Sequence, residues 1–118
     1  MNTITIIGRL AKDPEPKTTQ SGKTLTKFVV ADERKTQNGN KVSYFSCTAW
    51  GKKGEFIAQY FKKGKPISLY GSCYIDSVDR DDGKKDYFTV VEVIDVAFVP
   101  GAPAEQNRQD DDGGLSFE

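Results

Sequence analysis

Four residues alternate along one short stretch, Tyr44, Ser46, Thr48 and Trp50, with Phe45, Cys47 and Ala49 between them. In an extended chain, successive side chains point to opposite faces, so the first set shares one face and the second the other. Phe45, Cys47 and Ala49 make a sensible core face. Tyr-Ser-Thr-Trp is too polar for a core and too aromatic for idle surface, and it carries the only tryptophan of the chain. Tyr44 and Trp50 would stand about 20 Å apart at ~3.3 Å per residue. Aromatic platforms of this kind suit single-stranded nucleic acid, because every base offers a π-face and stacking is worth roughly 1–3 kcal/mol per base. Cations to neutralise phosphates flank the stretch: Arg34, Lys35 and Lys41 before it, Lys52 and Lys53 after it. Tyr74, in a later apolar-alternating run, is a third candidate stacking residue.

Other chemistry has little to work with. The chain has no histidine, the commonest general base. Two cysteines without histidine cannot supply the usual four ligands of a structural zinc site, so no metal or cofactor is expected. Gly22-Lys23-Thr24 looks like the end of a phosphate loop, but Lys17 stands where that motif needs glycine, and a strand rather than a helix is expected next. DRDDG at 79–83 has its glycine one position early for a calcium loop. This acidic hairpin is the one place where a nuclease built on the same fold could find carboxylates, and a solvated turn is the simpler reading.

The net charge is zero but zoned. Residues 1–65 hold 13 Lys/Arg against 5 Asp/Glu, residues 66–99 hold 3 against 7, and the remainder hold 1 against 5. A net +8 in the first half points to an anionic partner. No run is apolar and long enough to span a membrane, and MNTITIIGRL does not read as a secretion signal, so a cytoplasmic protein is expected. Cys47 and Cys73 fit reduced core residues.

Period-two alternation predicts strands over about 2–10 (with a bulge at Gly8), 24–32, 42–50, 66–75 and 87–99. Asn38-Gly39 and Asp82-Gly83 predict hairpin turns. Between the third and fourth strands the period changes: Phe56, Ile57, Tyr60 and Phe61 fall on one helical face, with Lys62 and Lys63 in the last turn and Gly64 as C-cap. The order β-β-β-α-β-β is that of the OB-fold, an all-β five-stranded Greek-key barrel. The chain divides into that barrel at 1–99 and a linker with an acidic tail at 100–118.

ITIIGRLAKDPE, KFVVAD, YFSCTAWGKKGEFIAQYFKKG, LYGS and YFTVVEV together resemble the bacterial and bacteriophage single-stranded DNA-binding protein family. The resemblance implies an OB-fold, sequence-independent coating and protection of single-stranded DNA in replication, recombination and repair, no catalysis, and dimers or tetramers. Tyr44 and Trp50 match stacking positions of that family, whereas Thr36 and Val78 stand where members often place an aromatic. The short linker is that of phage- or plasmid-type members, placing the protein in the bacterial cytoplasm. Two other readings stay open: an RNA-binding OB domain, and an adaptor whose Trp50 face meets a protein.

The resemblance also gives DDDGGLSFE a meaning. Family members often end in an Asp-rich, apolar-tipped segment that recruits replication and recombination proteins. Leu115 and Phe117 would then anchor in a partner's pocket, with Asp110, Asp111 and Asp112 facing its basic rim. The usual proline before a terminal phenylalanine is replaced by Ser116, and Glu118 is last.

Overall fold

The computed structural model describes residues 1–99. The six strands are β1 (Ile4–Leu10), β2 (Glu15–Thr18), β3 (Thr24–Thr36), β4 (Gly39–Trp50), β5 (Pro66–Asp79) and β6 (Lys85–Ala97). One helix, α1 (Gly51–Tyr60), joins β4 to β5. The strands form one sheet in the order β1-β5-β6-β4-β3-β2, and an added β1–β3 pairing closes it. Five strands thus make the expected barrel, and the sixth, β2, is an extra edge strand on β3. All pairings are antiparallel except β4 with β6, where Ser46, Cys47 and Thr48 run beside Val90, Val91 and Glu92.

Alternation fills the barrel. Ile6, Leu10, Phe28, Val30, Cys47, Ala49, Ile67, Leu69, Val91 and Val93 are buried together with Ile57 and Phe61, which plug one end. The plug needs close approach. A Cβ on Gly54 would lie 2.5 Å from the Ala49 carbonyl oxygen and 2.7 Å from Thr26 Oγ1, so only glycine lets α1 sit this close to β3 and β4.

Three expectations are corrected. Gly8 is not in a bulge: β1 runs in unbroken register with β5 from Ile4 to Arg9. Gly8 lies where β1 crosses from β5 to β3, and its missing side chain makes room for the Ala31 carbonyl and Val30. The helix also stops early. It ends at Tyr60, and Phe61 turns to extended backbone (φ −118°, ψ 137°), which sends its ring into the core. Lys62 and Lys63 therefore lie beyond the helix. Gly64 is not its cap but part of a turn, its N–H donating to the Leu10 carbonyl at 2.8 Å. Last, β3 and β4 continue as a two-stranded ribbon to Thr36 and Gly39, where a loop was expected from Glu33 to Lys41.

Side chains occupy several open backbone positions at the sheet edges. Beyond the β1–β5 ladder, Asn2 Nδ2 donates to the Cys73 carbonyl (2.9 Å) and its Oδ1 accepts from the Cys73 N–H (2.7 Å). Further along β5, Asp76 Oδ1 accepts from the Ser77 N–H at 2.8 Å. Asp95 does the same for Val96 on β6, at 2.9 Å.

Cys47 and Cys73 are both free and both stand beside Val91, one strand to either side. Two strand spacings put their Cα atoms about 10 Å apart, beyond the roughly 7 Å a disulfide tolerates. Burial, with the neighbouring Cys73 thiol adding to it, pushes Cys47 up from 9.0 to about 12. Cys47 therefore stays a thiol through the neutral range. A thiol-specific reagent should modify half-buried Cys73 first and Cys47 only on unfolding; equal rates in the native protein would contradict this packing. Because the folded state holds the proton more tightly, this contribution to stability is complete below pH 9 and is lost as pH rises from 9 towards 12.

Candidate nucleic-acid interface

The outer face of the barrel is laid out in rows by strand register. One row runs Val29–Ser46–Val90–Tyr74 across β3, β4, β6 and β5. The next runs Lys27–Thr48–Glu92–Ser72. Tyr44 stands two residues before Ser46, opposite Ala31, and Trp50 closes β4 opposite Leu25. All three predicted aromatic residues therefore share one surface, and each is open to solvent: Tyr44 is 67% exposed, Trp50 44% and Tyr74 42%. Large aromatic rings left this open lose the burial that usually holds them, which makes the face a candidate for a partner.

Trp50 also caps α1 at its N-terminal side without a side-chain bond. A hollow of about 400 Å³ beside it is lined by Thr19, Ser21 and Lys23. The turn carrying those residues is pinned by Thr19, whose N–H donates to the Lys23 carbonyl at 2.8 Å and whose carbonyl accepts from Gly22 N–H at 2.9 Å. Lys52 and Lys53 are exposed in the first turn of α1, which has no acidic residue. Cations there oppose the helix dipole, so the positive end of α1 and two ammonium groups add into one field that favours an anion.

The remaining predicted cations divide between faces. Lys35 is opposite Asn40 and shares the parity of Tyr44 and Trp50. Arg34 and Lys41 pair with each other across the ribbon and lie on its reverse. They were expected beside the aromatic residues, and register puts them one residue out of phase. Sequence reading passed over Lys27 and Lys23, although Lys27 alternates with Val29 and Leu25 and its parity could have been read off β3. Phe88 was also missed. It lies on β6 two residues before Val90, is 41% exposed, and borders a groove of about 250 Å³ floored by Val29, Ser46 and Val90. The parallel β4–β6 pairing that brings it there joins segments some forty residues apart and leaves no local signal.

The DRDDG hairpin is a solvated turn, with Arg80 bridging Asp82 (3.5 Å) and Asp86 (3.4 Å) at the surface. Among the described residues no cluster of three or more His, Cys, Asp or Glu is placed to hold a metal, and no helix is long and apolar enough to cross a membrane. The predicted tail residues Asp110, Asp111, Asp112, Leu115 and Phe117 lie outside the described residues.

A closed five-stranded barrel with a helix between its third and fourth strands and an open aromatic, basic face is an OB-fold binding domain. The Single-strand binding protein family matches residues 1–99, and the chain belongs to that family. It is 39% identical over 102 residues to a single-stranded DNA-binding protein of Clostridium tetani, covering 84% of this chain and 70% of that one. A second, from Clostridium perfringens, is 37% identical over 100 residues, covering 84% and 66%. Single-stranded DNA-binding protein 3 of Clostridium acetobutylicum is 32% identical over 115 residues, covering 95% and 80%.

Proposed function

We propose that the protein coats single-stranded DNA without regard to sequence and does no catalysis, serving replication, recombination and repair in the bacterial cytoplasm. The observation that carries this reading is the outer face on which Tyr44, Trp50 and Tyr74 stand exposed between cations, in a barrel of the single-strand binding family. Stacking on these rings tolerates any base, and phosphate neutralisation by Lys35, Lys52 and Lys53 on this face, joined by Arg34 and Lys41 where a strand wraps the ribbon edge, adds affinity that is equally blind to sequence.

Fluorescence of the sole tryptophan makes the test direct. Titration with a deoxythymidine oligomer should quench Trp50, and Trp50→Ala should weaken binding by roughly 1–3 kcal/mol, about 5- to 150-fold in Kd. Unchanged affinity in a folded variant removes the stacking role. The ribo-oligomer run alongside separates the RNA-binding reading, and failure of both leaves the adaptor reading.

The division at residue 100 and the partner role of the tail belong to the same reading, as does self-association into dimers or tetramers. Leu115 and Phe117 would supply apolar anchors and Asp110–Asp112 the steering charge. Phe117→Ala leaves charge untouched. It should spare DNA affinity while abolishing pull-down of replication or recombination proteins, and undiminished pull-down would reduce the tail to a solvated extension.

A further inference from the structure

We infer that the groove between β4 and β6 is a slot for one nucleobase turned out of the strand, with Phe88 supplying its stacking face; this rests on the single-stranded DNA reading above. The argument begins with where the parallel ladder stops. Ser46 and Val90 are joined in register, whereas two residues earlier Tyr44 and Phe88 stand on strands no longer paired with each other. The strands fork there, and an exposed ring stands on each arm. At the base of the fork lies the groove of about 250 Å³, floored by the small or aliphatic side chains Val29, Ser46 and Val90 and bordered by Phe88 but not by Tyr44.

Lys12 and Glu15 also line the groove and pair with each other at 3.7 Å, so their charges offset at its rim and a neutral, flat heterocycle is not opposed. Lys27 lines the groove and can donate to a base carbonyl or ring nitrogen. Thr48, also lining it, has a buried hydroxyl with no hydrogen-bond partner among the described residues. The slot adds a position to the surface defined by Tyr44, Tyr74 and Trp50. Phe88 stands on β6, the strand between those that carry Tyr74 and Tyr44.

The test uses the full chain and a deoxythymidine oligomer. Phe88→Leu keeps apolar volume and removes the ring, and should raise Kd at least about fivefold, the lower end for loss of one stacked base. The salt dependence should not change, because no charge is lost. Phe88→Tyr should return Kd to within twofold of the parent. A rise below fivefold for Phe88→Leu, while Trp50→Ala still weakens binding, overturns the slot and leaves the single-stranded DNA reading standing. Absence of binding by the parent overturns both. If Phe88→Leu fails to fold, the unaltered protein is irradiated with the same oligomer carrying 5-iododeoxyuridine. Cross-links mapping to Phe88 support the slot, and cross-links confined to Tyr44 and Trp50 overturn it.

Discussion

Raising monovalent salt from 50 to 200 mM should weaken binding of a deoxythymidine oligomer about a hundredfold. Among the described residues none of Arg34, Lys35, Lys41, Lys52 and Lys53 is held in an ion pair, so each is available to a phosphate. Each phosphate contacted contributes about −0.7 to the log–log slope on single strands. Five contacts give a slope near −3.5, and a fourfold rise in salt then costs about two orders of magnitude. Register makes the slope informative about path. A strand kept to the aromatic face meets Lys35, Lys52 and Lys53, with Lys23 and Lys27 on the same side, but not Arg34 and Lys41 on the ribbon's reverse. Alanine at Arg34 and Lys41 distinguishes the paths: the slope becomes shallower only if the strand wraps the ribbon edge. A change of less than twofold between the two salt concentrations would sink the electrostatic account.

Phe61→Ala should be the most damaging single truncation at the helical end of the barrel. The ring is fully buried and stacks on Phe98 with centroids 5.0 Å apart and planes 16° from parallel. Phe56 meets it edge-on at 6.0 Å. Removing a buried phenylalanine costs about 3–5 kcal/mol through lost transfer energy and the cavity left behind. Domains of this size have roughly 5–15 kcal/mol in total. The melting temperature followed by circular dichroism should drop by more than about 10 °C. Phe61 is also the residue that leaves the helical conformation, its N–H still bonded to the Ile57 carbonyl at 3.0 Å. Alanine removes the reason to turn inward, so α1 should lengthen towards Gly64 as the plug is lost. A shift under about 5 °C would mean the ring adds little to the core.

The contrast between these residues explains what could be read from the chain and what could not. Alternation along β4 was enough to set Tyr44 and Trp50 apart from Cys47 and Ala49, because in-versus-out is a local property of a strand. The element order then implied the barrel. β2 left no trace, since EPKT is exposed at every position and contains a proline that only an edge strand accepts. Phe61 carries the right spacing for the helix face, and its pull into the core, a tertiary effect, decided where the helix ends. Arg34 and Lys41 sit at the right distance along the chain, but the tight turn after Thr36 fixes a register that puts them on the reverse. Phe88 and Lys27 required the long-range β4–β6 pairing and the parity of β3, respectively.

The amide of Asn2 on Cys73 and the carboxylate of Asp76 on Ser77 have a consequence for how copies of this chain treat one another. A strand edge with bare N–H and C=O groups is a template: any extended segment that drifts past can add to it, and the addition can repeat. Here alternate sites along the outer margin of β5 are already filled from within the same molecule. Those filled sites interrupt the run of open groups that a shared sheet would need along that margin. The two side chains contribute little to the barrel's own free energy, as exposed hydrogen bonds do, and their effect falls instead on how readily a second chain can add to this margin.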